Sequence, residues 1–84
     1  MTVVKRSGKH EEFSTNKLAN SIRAANEETD EPLKATFLVS EFEQIIKGKE
    51  LITTQQIDII IYGLLYSKGL LKTLNRYISY DKLQ

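Results

Sequence analysis

The sequence predicts an α+β fold: a small three-stranded β-cap, formed by an N-terminal hairpin plus one short strand, on a four-helix bundle. Three observations lead there. Residues 2–6 are rich in β-branched side chains and are followed by turn residues. Four later segments place apolar residues three and four apart, with helix start and stop signals between them. One short apolar stretch, Leu51-Ile52, is too brief for a helix and stands just before a helix start.

The hairpin comes first. Thr2-Val3-Val4-Lys5-Arg6 suits a strand, Ser7-Gly8-Lys9 supplies the turn, and His10-Glu11-Glu12-Phe13 returns. Alternation puts Val4 and Arg6 on one face, and Val3 and Lys5 on the other. Ser14 or Thr15 then caps a first helix, whose inward face is Leu18, Ile22 and Ala25, with Lys17 and Ser21 beside it. Asn26 to Pro32 interrupts it. Asp30 is the expected next N-cap, with Pro32 in the first turn, where a missing amide costs nothing. Leu33, Phe37, Phe42, Ile45 and Ile46, widened by Leu38 and Val39, form the second helix, which Gly48 ends. Lys49 to Ile52 supplies the third strand. Thr53-Thr54-Gln55-Gln56 is a capping box ahead of Ile57, Ile60, Ile61, Leu64 and Leu65, the third helix. Gly63 within it predicts a close backbone approach. After Gly69 a last helix runs from Leu70 to Lys82, with Leu71, Leu74, Tyr77 and Ile78 inward.

Eighty-four residues read as a single domain spanning 1–84 with a thin core. Its 12 Lys and Arg nearly balance 11 Asp and Glu, which speaks against a generally basic nucleic-acid binder. With no cysteine there is no disulfide scaffold, thiolate zinc site or cysteine nucleophile, and one histidine leaves no multi-histidine metal site. His10, beside a turn, reads as an exposed hairpin residue. The pairs Glu11-Glu12 and Glu41-x-Glu43 diverge from each other and read as solvated faces. No apolar run is long enough for a membrane span, and the start lacks a signal-peptide core. A non-catalytic cytoplasmic domain is expected.

Charge is unevenly distributed. Residues 1–26 hold five basic and two acidic side chains, 27–58 three and eight, and 59–84 four and one. If the two basic ends meet, they create a local anion site on a nearly neutral protein. Lys5-Arg6, the turn at Gly8, Glu11 on the return strand and Lys17 early in a helix form a compact constellation. Lysine brings a point charge and arginine a planar fork, and phosphates take both. The helix start near Thr54 adds unpaired amides and a positive dipole end. Glu11 can accept from an exocyclic amino group, and Val3, Phe13, Leu18 and Ile57 offer an apolar slot for a base.

These residues carry a resemblance. Val3-Val4-Lys5-Arg6-Ser7-Gly8, then Glu11, Phe13, Lys17-Leu18, Ser21-Ile22 and Ala25, resembles the opening of the ATP-cone domain, V-x-K-R-[DS]-G-x-x-E-x-F-x-x-x-K-[IL]. Leu51 to Ile57 is similar to the family's I-x-T-x-x-I segment, and Arg76-Tyr77-Ile78-Ser79-Tyr80 to its closing helix. The likeness covers about residues 2–82. Such domains are nucleotide-sensing regulatory domains of ribonucleotide reductases and of the zinc-ribbon repressor of reductase genes. The resemblance implies binding of ATP or dATP, with Mg2+ carried by the triphosphate, read out through oligomeric state. It implies that Lys5 and Arg6 hold phosphates, and that Lys17 touches phosphate or ribose. Glu11 and Ser14 would read adenine, Val3, Leu18 and Ile57 would sandwich it, and Thr54 would lie near the phosphates. Lys82 is the basic residue available at the far end. Ser7 stands where aspartate is more frequent, and Asp58 where some reductases carry a basic residue near phosphate. The expected partners are a second copy of the chain or a reductase subunit. The alternative is a cone without nucleotide that acts as a protein-interaction module.

Overall fold

The computed structural model describes residues 1–82, with side chains described through Ser79. Strands β1 (Thr2–Val4) and β2 (His10–Glu12) form the antiparallel hairpin, with Val3 opposite Glu11. Strand β3 (Leu51–Thr53) joins β1 in parallel, with Val3 opposite Ile52, so the order is β2-β1-β3. The helices are α1 (Thr15–Asn26), α2 (Ala35–Ile45), α3 (Thr54–Ser67) and α4 (Leu71–Lys82). The expected α+β arrangement, a hairpin plus one strand on four helices, is the one observed.

The hairpin is tighter than strand alternation implies. Gly8 N–H donates to the Lys5 carbonyl at 2.8 Å, and Lys5 N–H to the Lys9 carbonyl at 2.8 Å. Gly8 adopts φ 87°, a left-handed conformation that a Cβ would strain. Lys5 is therefore the last paired residue, and Arg6 belongs to the turn rather than to the pleat.

Helix ends are set by side chains. Ser14 Oγ accepts from Lys17 N–H at 3.2 Å and starts α1. At α3 the capping box closes in both directions: Thr53 Oγ1 accepts from Gln56 N–H at 3.1 Å, and Gln56 Oε1 from Thr53 N–H at 3.0 Å. Helix α4 is capped from a distance in sequence. The Glu31 carboxylate accepts Lys72 N–H at 3.0 Å and Thr73 N–H at 2.7 Å. Burial works against ionisation of Glu31, but these backbone donors and Lys72 outweigh it and hold the carboxyl below its usual value.

This long-range cap displaces the predicted start of α2. Asn26 Nδ2 donates to the Glu31 carbonyl at 2.9 Å and to Thr73 Oγ1 at 3.0 Å. Asp30 accepts from Lys72 Nζ at 2.7 Å. The segment around Pro32 is thus drawn onto the end of α4, and α2 begins only at Ala35, after Lys34 rather than Asp30.

The core lies where the helices meet the inner face of the sheet. Ile22, Leu38, Phe42, Ile61 and Leu65 are fully buried, and Ile52 nearly so. Each such side chain contributes about 1.5–3 kcal/mol of burial. Phe13, just past β2, stacks on Phe42 with ring centroids 5.6 Å apart, and so ties cap to bundle. Tyr62 and Tyr77 join α3 to α4 edge to face.

Three expected core placements are corrected. Helix α2 buries Ala35, Leu38, Val39 and Phe42, continued by Ile46 at its C-cap, while Phe37 is 63% exposed and Ile45 is also outside. Residues 35, 38, 39, 42 and 46 make one unbroken stripe, which leaves Phe37 and Ile45 off it. In α4 Tyr77 is buried as expected and Leu74 packs partly buried against the core, but Thr73 is also buried and Leu71 is half exposed. Gly63 makes no close approach: a Cβ added there meets nothing within 4 Å. It lies opposite the buried line Ile57, Ile61 and Leu65.

Candidate functional site

A cleft of about 380 Å³ opens between the sheet, α1, the first turns of α3 and Tyr77 of α4. Backbone periodicity explains its lining. Val3 and Lys5 share one face of β1, and Glu11 lies opposite Val3 on that face, with Phe13 two residues on. Ser14, Lys17, Leu18 and Ser21 recur at helical spacing and turn one edge of α1 to the cleft. Thr54, Ile57 and Asp58 do the same from the start of α3.

The predicted site residues are thus largely brought together. Val3, Leu18 and Ile57 are almost wholly buried and form the apolar floor. Lys5, Glu11, Ser14, Lys17 and Thr54 stand along the walls. Thr54 Oγ1 donates to the Val4 carbonyl at 3.4 Å, which fixes the amino end of α3 against β1. Arg6 is not in the lining; its guanidinium is turned to Asp58 at the cleft edge, with Nη2 to Oδ2 at 3.4 Å. The Lys82 side chain lies outside the described residues.

Two carboxylates organise the cations. Glu11 lies between Lys5 Nζ at 3.7 Å and Lys17 Nζ at 3.4 Å. Burial raises its proton affinity, but Lys17, Lys5 and Lys9 outweigh this and keep the carboxyl below its usual value. Asp58 has a side chain only 9% exposed, which requires a polar partner, and Arg6 supplies one. The cleft is therefore a short apolar slot with a rim of alternating cations and anions.

The two basic chain ends do not merge, as far as the described residues go. Lys68 pairs with Glu41 at 2.7 Å, Lys72 with Asp30 at 2.7 Å and Arg76 with Glu28 at 3.2 Å. The acidic middle of the chain neutralises them, and none of the three lines the cleft. His10 is exposed at the end of the hairpin, as expected.

Sequence reading left out some lining residues. Asn20 and Ser21 follow Lys17 by three and four positions, a spacing that placed them on its side of α1. Tyr77 reads as core, and its ring is indeed buried, yet it also closes one end of the cleft. Asp58, which the resemblance sets at a position near phosphate, does line the cleft, four residues after Thr54 on the same helix face.

No cluster of three or more His, Cys, Asp or Glu side chains that could hold a metal occurs among the described residues. No described helix is long and apolar enough to cross a membrane.

A comparison with curated proteins gives no significant match. A family profile described as ATP cone domain matches residues 1–84. With the match spanning the whole sequence, and with the cap-on-bundle fold in place, the chain belongs to the ATP-cone domain family, whose members are nucleotide-binding regulatory domains.

Proposed function

We propose that this chain, as one domain of residues 1–84, binds ATP or dATP in the cleft between cap and bundle and does no chemistry on it. The observation that carries this reading is an apolar floor beside the ammonium groups of Lys5 and Lys17 within one cleft, with Arg6 at its edge. Val3, Leu18 and Ile57 would contact the purine, with Glu11 accepting from its amino group and Ser14 beside it. Lys5, Arg6 and Lys17 would meet the phosphates and ribose, and the first turn of α3 at Thr54 would add its positive dipole end. Magnesium would enter with the triphosphate, its charge offsetting the phosphates near Asp58.

The output would be a change of association. ATP and dATP differ by one hydroxyl, so each must favour a different arrangement of the same helices. A second copy of the chain or a ribonucleotide reductase subunit in the cytoplasm would read that difference. Calorimetric titration of the purified chain with ATP, dATP and GTP tests the binding, and size-exclusion chromatography with each nucleotide tests the output. Saturable heat with an adenine nucleotide, and weak or no heat with GTP, is the expected result. Heat with none of them refutes the reading and leaves a protein-interaction module in its place. A response to duplex DNA with a steep salt slope instead refutes it in favour of a nucleic-acid binder.

A further inference from the structure

The Arg6–Asp58 pair sits at the boundary between cleft and bundle. Arg6 comes from the hairpin turn and Asp58 from α3, fifty-two residues away, so the contact ties the cap to the bundle. The aspartate is nearly buried and lines the cleft, while the arginine side chain is 48% exposed and reachable by a ligand. Their separation of 3.4 Å is longer than the roughly 2.8 Å of a tight charge-assisted bond. The contact holds the guanidinium at the cleft edge, out of the lining.

We propose that Asp58 is a built-in competitor for the nucleotide's phosphates: it holds Arg6 in the unliganded site, and binding exchanges this carboxylate for a phosphoryl oxygen. The inference rests on the nucleotide reading above and adds a regulatory contact to it. A phosphoryl group offers Arg6 more negative charge and a geometry that its planar fork can match. The cost of binding is then the lost Arg6 contact of Asp58, a carboxylate that stays nearly buried near the phosphates. The domain therefore binds triphosphate more weakly than its count of cations implies. It also loosens the tie between cap and α3 when it binds, which gives the ligand a direct mechanical consequence.

The test is a double-mutant cycle of magnesium-ATP affinity, measured by calorimetry on the wild type, Asp58→Asn, Arg6→Gln and the double variant. Asp58→Asn keeps the shape of the side chain and removes its charge. Asp58→Ser serves as a second probe, and unliganded melting curves show that each variant is folded. The proposal expects Asp58→Asn to bind about fivefold more tightly than wild type, the scale of one partly exposed ion pair. It expects that gain to disappear when Arg6 is glutamine. Wild-type or weaker affinity in both Asp58 variants overturns the proposal while leaving the nucleotide reading intact. A gain that persists undiminished without Arg6 also overturns it, because the aspartate would then act on the ligand directly. Absence of nucleotide binding in every protein of the cycle overturns both the proposal and the reading beneath it.

Discussion

Lys5→Ala isolates one cation of the cleft. Lys5 is preferable to Arg6 because Arg6 also shields the nearly buried Asp58, so removing it would cost stability as well as binding. Lys5 pairs with Glu11 at 3.7 Å through a side chain 44% exposed, a weak surface contact whose loss leaves the unliganded melting temperature almost unchanged. A hydrogen bond from an ammonium to phosphate is worth about 1.5–3 kcal/mol, and the exposure of Lys5 places it at the lower end, or about tenfold in Kd. With ATP at about one hundred times the wild-type Kd, ligand stabilises the fold by about 2.7 kcal/mol. The same concentration is only about ten times the variant's Kd, and the stabilisation falls to about 1.4 kcal/mol. For a domain of this size each kcal/mol moves the melting point by about 4–8 °C, so the ATP-induced rise drops from about 11–22 °C to about 6–11 °C. Scanning fluorimetry with and without ATP measures both quantities. A wild-type rise in the variant would refute the placement of phosphate beside Lys5. A large fall in the unliganded melting point would refute the view of Lys5 as a weakly paired surface cation.

Phe42→Ala removes a fully buried ring and its stacking on Phe13, and is expected to cost about 3–5 kcal/mol in urea unfolding; a cost below about 1 kcal/mol would mean that cap and bundle are not joined through this ring. Thr53→Ala breaks one half of the capping box and should cost about 1 kcal/mol, with Thr53→Ser close to wild type; equal stability of all three proteins in thermal melts would contradict the cap. Stability should also fall in acid. Glu11, Asp30 and Glu31 are held below their usual values in the folded chain, so their contribution is present above the unfolded pKa of about 4 and is lost as pH falls through the lowered folded values. Melting curves between about pH 7 and about pH 3 should show this loss, with a smaller decline in Glu31→Gln; a flat profile would contradict it.

Most of the fold could be read because local chemistry and long-range packing agree. Ser14, the Thr53–Gln56 box and the β-branched start each act over three or four residues, and nothing distant opposes them. The start of α2 could not be read for the opposite reason. Asp30 and Pro32 are sound local signals, but Glu31 is claimed by the amides of α4, forty residues away, and Asn26 and Thr73 hold the segment there. The face of α2 was misplaced because Phe37 and Ile45 satisfy helical spacing as well as Val39 and Leu38 do; only the position of the neighbours decides which stripe is buried. Gly63 misled because glycine in a helix signals either contact or indifference, and its exposed side of α3 makes it the latter.

The candidate site was legible to the extent that it follows periodicity. Val3, Lys5 and Glu11 share a pleat face, and Ser14, Lys17 and Leu18 a helix edge, so one hairpin and one helix suffice to assemble them. Arg6 departs from that scheme because the turn, not the pleat, directs it, and because Asp58 offers it a carboxylate. Charge totals fall short in a related way. They left open that the two basic ends meet, whereas Lys68, Lys72 and Arg76 each pair with an acid in the middle of the chain. Ion pairs are resolved by proximity, and a sum over segments carries none.

The distribution of these pairs bears on how a ligand would be felt. Residues of the cap, α1, α3 and α4 all border the cleft, so a nucleotide seated there would touch every layer of the fold except α2. At the other end, Glu31, Asn26 and Thr73 lock the end of α1 to the start of α4. Motion driven from the cleft would therefore leave that end fixed and fall on the contacts of α3 with the cap, where Arg6 and Thr54 make the polar ties. An allosteric coupling of about 1–3 kcal/mol is comparable to one or two hydrogen bonds. On the proposed reading, a single ribose hydroxyl would then be enough to tilt such a balance if two arrangements of α3 lay close in energy before any nucleotide arrived.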